Sequence, residues 1–165
     1  MEYSLRPVQE KDCEAVLDIF NHYVENDMAA FSDERVGREF FDSFLEQTKD
    51  HPFYVVGTED GRLVGWGFAR PYHPARTFQR TAVLGYFLHR EYLGKGIGSK
   101  LFDRLVEECK KLGIDNFLVS ISSLNTGSIR FHEKRGFVEC ARFKSVGKKL
   151  GKDFDVIWMQ WFIGR

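Results

Sequence analysis

Ala82-Val83-Leu84-Gly85-Tyr86-Phe87-Leu88-His89 is an apolar run, followed by Arg90-Glu91-Tyr92 and then by Leu93-Gly94-Lys95-Gly96-Ile97-Gly98-Ser99-Lys100-Leu101. The pattern predicts a strand, a short turn, three alternate glycines and the start of an amphipathic helix. Glycines between a strand end and a helix start leave backbone N–H groups uncovered. The positive end of the helix adds to them, so the place suits an anion such as a phosphate. A tight structural turn is the alternative reading of the same three glycines.

Upstream, Tyr3 to Val8 reads as a first strand, with Pro7 suited to an edge or a strand end. Asp12 is placed to cap a first helix carrying Val16, Ile19, Phe20, Tyr23 and Val24 at helical spacing and ending at Asn26-Asp27. A second helix is expected over about 33–47, burying Phe40, Phe41, Phe44 and Leu45. Met28-Ala29-Ala30-Phe31 lies between them, with Met28 read as a plug over the core and Phe31 as a plug or the wall of a substrate pocket. Phe53 to Thr58 and Leu63 to Ala69 are strands around the Asp60-Gly61 turn, and Arg70 to Arg80 is a long loop.

Downstream, Ile97, Leu101, Leu105, Val106, Cys109 and Leu112 form one face of a helix that Gly113 is placed to end. Asn116 to Ile121 is a largely apolar strand, expected inside the sheet. A short helix follows from Asn125 to about Arg135, stopped at Gly136. Phe137 to Val146 and Phe154 to Phe162 are the last strands, joined by 147–152, and the basic cluster of Lys144, Lys148, Lys149 and Lys152 reads as a solvated turn. The order β-α-α-β-β-β-α-β-α-β-β predicts an α/β chain with a mixed sheet and one domain over 1–165.

With 165 residues, 43% of them hydrophobic and sixteen of them Phe, the chain has material for a sizeable core. Twenty-four basic and 24 acidic residues cancel, so no overall field draws it to nucleic acid or an anionic membrane. Cys13, Cys109 and Cys140 are widely spaced and odd in number, which favours core thiols in a reducing cytosol over a disulfide or a metal site. Neither a signal peptide nor a membrane-spanning run is expected, and the location read from this is cytoplasmic.

Two nucleotide loops fit the spacing poorly. The Walker frame fails from Gly94, and in a dinucleotide fingerprint the third glycine comes one residue early, at Gly98. Asp115 precedes the next strand instead of ending it, so the usual ribose contact is also misplaced.

About thirty residues beyond the loop come Asn125, Ser128 and Phe131-His132-Glu133-Lys134-Arg135-Gly136-Phe137. With them the chain resembles the GNAT superfamily of N-acetyltransferases. Within it the resemblance is to phosphinothricin and methionine sulfoximine/sulfone acetyltransferases. It is carried by Ile19-Phe20-Asn21-His22 with Asn26 and Ala30-Phe31, by the glycine loop, by Ser128 to Glu133, and by Val146-Gly147-Lys148-Lys149-Leu150-Gly151 with Asp155 and Met159-Gln160.

The resemblance implies a central mixed sheet splayed at an acetyl-CoA site, with helices on both faces and no metal. It implies that the main chain of Tyr86, Phe87 and Leu88 pairs with pantetheine. The amides of Gly94, Lys95, Gly96, Ile97, Gly98 and Ser99 would cradle the pyrophosphate, with Asn125 and Ser128 beside the cofactor. His132 would protonate the departing thiolate or hydrogen-bond the cofactor. The implied reaction moves an acetyl group directly to a small primary amine, in a homodimer.

Three positions depart from the family pattern. Leu93 replaces the usual Arg or Gln, which removes one side-chain contact. Val83 stands where these enzymes carry a Glu that serves as general base; His73, His89 or Glu139 would have to replace it, or the protein is slow. The two acceptor-binding arginines of the family fall on His73 and Ala75, with Arg76 and Arg80 close by as substitutes or as an ordinary charged loop. A CoA-binding module with weak catalysis and a protein N-acetyltransferase remain as the alternative functions.

Overall fold

Seven strands in the order β1-β2-β3-β4-β5-β7-β6 form one mixed sheet, in a computed structural model that describes residues 1–164. The strands are β1 (Tyr3–Pro7), β2 (Phe53–Thr58), β3 (Leu63–Pro71), β4 (Thr81–Leu88), β5 (Asn116–Ser122), β6 (Val138–Lys149) and β7 (Lys152–Phe162). The helices are α1 (Cys13–Asn26), α2 (Arg38–Gln47), α3 (Ile97–Lys111) and α4 (Thr126–Glu133). All neighbours pair antiparallel except β4 and β5, which α3 links as a parallel crossover.

Each face of the sheet buries a separate core. Ile97, Leu101, Phe102, Leu105 and Cys109 of α3 pack with Ala69, Leu84, Phe117 and Val119 on one side. On the other, Val16, Ile19, Phe20, Tyr23 and Phe41 from α1 and α2 meet Val55, Trp66 and Phe68. Truncating a fully buried ring such as Phe41 to Ala in such a core costs about 3–5 kcal/mol.

Parallel pairing between β4 and β5 is short: Thr81↔Asn116, Ala82↔Phe117 and Val83↔Leu118. Beyond Val83, β4 continues along β3 and β5 continues along β7, so the two strands part. The closed end is held by polar contacts. Asn116 donates to Thr81 Oγ1 at 2.9 Å and accepts from Gln160 Nε2 at 3.1 Å, while the amides of Asp115 and Asn116 both donate to the Arg80 carbonyl. Closed at one end and open at the other, the central pair makes a wedge.

Five expectations need correction. Helix α2 starts at Arg38 rather than near 33, because the Asn21 side chain engages both backbone groups of Val36 (2.8 and 3.0 Å) and holds the preceding segment extended. The Asp12 side chain does not cap α1: its carboxylate accepts from Arg6 and from the Gln9 amide, closing the short 3-10 turn over Glu10–Asp12. The final hairpin turns on Leu150 and Gly151, both at positive φ, so Gly147, Lys148, Lys149 and Lys152 lie in strands. Cys140 is exposed on edge strand β6 instead of buried like Cys13 and Cys109. In the loop after α1 the buried residue is Ala30, not Met28.

Candidate active site

At the open end, Leu84 to Phe87 face Val119 to Ser122 across a gap of 90 Å³. It adjoins a cleft of 300 Å³ lined by Tyr86, Phe87, Leu88, Leu93, Gly98, Asn125, Gly127, Ser128 and Phe131, with Tyr23, Asp27 and Ala29 as the opposite wall. The exposed edge of β4 thus runs from Leu84 to Leu88 and leads to the glycine loop.

Gly94 (φ 73°) and Gly96 (φ 79°) take the left-handed conformation that side chains resist. Gly96 caps α3 with no side chain bonded to the helix amides, and the first turn of α3 carries no acid. The N–H groups of Ile97, Gly98 and Ser99 therefore stay available at a positive helix end. Gly98 needs no special φ but lines the cleft, where a β-carbon would meet Phe131 and Leu88 at 3.5–3.6 Å. Arg135 lies over the Phe131 ring at 3.6 Å and donates to Ser99 Oγ, so this hydroxyl is held from behind. Lys95 lies over the Tyr92 ring at 4.8 Å.

Asn125 caps α4, its Oδ1 accepting from the Ser128 amide at 3.3 Å, and lines both clefts. His132, one helical turn beyond Ser128, is 2% exposed. Its Nδ1 lies 2.7 Å from the Ser128 carbonyl, which only accepts, so Nδ1 carries the proton. Nε2 then accepts from the Tyr86 hydroxyl. Burial, aided by the Arg135 charge and opposed by the Ser128 bond, lowers the imidazole pKa to about 4. His132 is thus neutral at pH 7, with its one proton committed to a carbonyl, and it lines the gap between β4 and β5 beside Tyr86 and Ser128. Burial of the Tyr86 hydroxyl pushes its pKa far up.

The acceptor-side residues named from sequence are less gathered. Phe31 is 48% exposed and stacks parallel on Phe154 at 6.0 Å, beside the clefts rather than in their walls. His73 accepts from the Ala75 amide at 3.1 Å and lines a separate hollow with Phe78 and Thr81 at the closed end of β4. Arg76 opens a short 3-10 turn in the same exposed loop. Arg80 makes a two-pronged ion pair with Asp115 (2.8 and 2.6 Å) that helps join β4 to β5. Val83 is 4% exposed and offers no proton acceptor.

None of the three substitute bases is free beside it. Glu139 is paired with Arg142 at 2.9 Å. His89 lies past the opposite end of β4, facing Arg62 in a hollow of 430 Å³ between α1 and the β2–β3 hairpin. That hollow is larger than the cleft, but it does not include the parting of the strands.

Sequence reasoning missed two supports. The Tyr23 hydroxyl donates to the Leu88 carbonyl, tying α1 to the mouth of the open edge. Lys149, read as solvated, is 3% exposed, and its ammonium donates to the carbonyls of Tyr23 (3.1 Å), Asp27 (2.6 Å) and Ala30 (2.7 Å). It clamps the loop that carries Ala29 into both cleft walls. Desolvation lowers its pKa, partly offset by Asp27 and Asp33.

The model of the acetyltransferase (GNAT) family matches residues 16–137. The chain belongs to the GNAT family of acetyltransferases. It is 30% identical over 158 residues to the L-amino acid N-acyltransferase MnaT of Escherichia coli, spanning 95% of this chain and 92% of that one. It is likewise 30% identical over 159 residues to the L-methionine sulfoximine/L-methionine sulfone acetyltransferase of Salmonella typhimurium, again spanning 95% and 92%. A phosphinothricin acetyltransferase of Sinorhizobium meliloti, solved in complex with acetyl-CoA, superimposes with a TM-score of 0.91 at 26% identity, covering 98% of this chain and 89% of that one. This GNAT chain has no helix among its described residues long and apolar enough to cross a membrane. Among the same residues no three His, Cys, Asp or Glu side chains are grouped to hold a metal ion.

Proposed function

We propose that this acetyltransferase moves the acetyl group of acetyl-CoA directly to the primary amine of a small amino acid or amino acid analogue. The observation that carries this reading is the parting of β4 from β5 at Val83 and Leu118 beside the uncapped start of α3. The residues present fit the donor. The amides of 97–99 offer N–H groups to a pyrophosphate, the β4 edge from Leu84 to Leu88 offers backbone partners to an amide-bearing arm, and Asn125 stands across the cleft. Acetyl-CoA supplies the activated thioester, and the chain supplies its placement.

Because the open edge closes at Val83 and Leu118, an arm following it from the glycine loop ends there. That point is where the acceptor must meet the thioester. The amine nitrogen forms a bond to the acetyl carbon, the carbon–sulfur bond breaks, and a proton passes from nitrogen to sulfur. With Val83 at this point no carboxylate takes the proton, so the acceptor enters as a free amine or loses its proton to water. General-base help is worth about 10²–10⁴-fold, whereas holding the reactants together supplies effective molarities of about 10⁵–10⁸ M. Positioning therefore dominates. Tyr86, fixed by neutral His132, forms one wall of the arm's path, so His132 is proposed as a positioning residue rather than an acid.

Direct transfer is supported by the state of the thiols. Burial raises the pKa of Cys13, Cys140 and, to about 12, Cys109, so none is an activated nucleophile. The same reading places the protein in the cytoplasm as a homodimer, for which exposed Val138, Phe143 and Val146 on edge strand β6 offer apolar surface. The test is acetyl-CoA-dependent thiol release over amino acids, their sulfoximine and phosphinic analogues, polyamines and protein N-terminal peptides. Release with the amino acid group is expected; release with peptides alone, or none at all, contradicts the reading.

A further inference from the structure

Arg70 lies directly across β3–β4 from Val83, at the residue pair where β4 also makes its last contact with β5. Directly opposed residues leave a sheet on the same side. Arg70 and Val83 therefore project from the face that carries Trp66 and Phe68 at alternate positions of β3. Within this neighbourhood Val83 is apolar, as is Leu118, and the amide of Gln160, which pairs with Leu118, is already bonded to Asn116. No acid stands there among the described residues.

The guanidinium is half-buried, and its one hydrogen bond is to the Pro71 carbonyl at 3.5 Å, the outer limit for such a contact. Four other arginines, by contrast, are each met closely by a carboxylate: Arg6 by Asp12, Arg35 by Glu25, Arg80 by Asp115 and Arg142 by Asp155. Burial lowers the pKa of Arg70, and no neighbouring charge opposes that shift. A guanidinium stays protonated throughout the working pH range, so it keeps a charge whose hydration is reduced and whose protein partner is missing.

We propose that Arg70 binds the carboxylate of the acceptor, holding an amino acid so that its amine meets the thioester at Val83. The proposal rests on the acetyl-transfer reading above and adds the residue that selects the acceptor. A planar fork of donors matches a carboxylate with two parallel hydrogen bonds, which fixes orientation as well as charge. It also gives Val83 a purpose. A glutamate at that position would face Arg70 across the strands, with β-carbons about 4.5–5.5 Å apart, and would pair with it. Valine leaves the guanidinium for the substrate.

The test compares L-methionine, L-methionine sulfone and phosphinothricin with their carboxamides, in wild type and in Arg70→Met, Arg70→Lys and Val83→Glu, by thiol release. Wild type should prefer the acids. Arg70→Met should lower kcat/KM for the acids about 10- to 100-fold, mainly through KM, and leave the amides unchanged. Arg70→Lys should recover part of the loss, and Val83→Glu should weaken the acids as Arg70→Met does. Unchanged acetyl-CoA affinity shows that each variant is folded at the donor site. Equal losses for acids and amides, or no loss for either, overturn the role of Arg70 while acetyl transfer stands. Absence of release from wild type with every amine overturns the acetyl-transfer reading and this assignment with it.

Discussion

The Tyr86 hydroxyl donates to Nε2 of His132, and that bond fixes the imidazole as a neutral acceptor. With Nδ1–H given to the Ser128 carbonyl, both ring nitrogens are used. The imidazole pKa of about 4 lies below the ordinary 6.5, so the unfolded chain binds a proton at His132 before the folded chain does.

Stability linked to His132 is therefore complete above about pH 7 and is lost as pH falls from 6.5 towards 4. The full shift corresponds to about 3 kcal/mol. Urea unfolding of wild type and His132→Gln at pH 7.5 and pH 5 should show wild type losing more stability on acidification. Equal losses in the two proteins would show that the imidazole is not held neutral.

Replacing Lys149 by Met removes the ammonium that bonds the carbonyls of Tyr23, Asp27 and Ala30, of which Tyr23 keeps the Asp27 amide. A loss of about 2–4 kcal/mol is expected, with faster amide exchange over 27–31. Lys148→Met is the control, because its ammonium is exposed and 3.5 Å from Asp153; it should change stability by less than about 0.5 kcal/mol. Equal effects of the two substitutions would deny Lys149 its clamp.

How much of this was readable in the sequence depends on distance along the chain. The strand, the glycine turn and the face of α3 are local patterns, and they fall where 82–109 predicted them, whereas Leu112, expected on that face, is exposed beyond the end of α3. Lys149 bonds to Tyr23 across 126 positions, and no local pattern marks a lysine as buried by a partner so remote. Arg70 was read as the start of a loop because Pro71 follows it, yet β3 runs through both. The register with Val83, invisible in one dimension, is what gives Arg70 its meaning. His132 was visible as a site residue, but its protonation follows from Tyr86 and Ser128, which only the fold brings to its two nitrogens.

The glycine loop separates conformation from space. Gly96→Ala should strain a φ of 79°, destabilise the protein by about 1 kcal/mol or more and raise the KM for acetyl-CoA. Gly98→Ala requires no such φ and adds helix propensity, so stability should hold or rise while KM for acetyl-CoA still rises, because the new methyl enters the cleft. An unchanged KM in Gly98→Ala would place the donor elsewhere.

Intact-protein mass spectrometry after incubation with acetyl-CoA alone should show no added acetyl group on Cys13, Cys109 or Cys140. A stoichiometric adduct on any of them would replace direct transfer with a covalent route.

The open edge of β4 is tested most directly by hydrogen exchange with and without acetyl-CoA, read at single-residue resolution. Slower exchange at amides within 84–88 and at 97–99 is expected, with 81–83, already paired to β5, unchanged. Protection confined to other parts of the chain, or absent at saturating acetyl-CoA, would contradict the assignment of this wedge as the donor site.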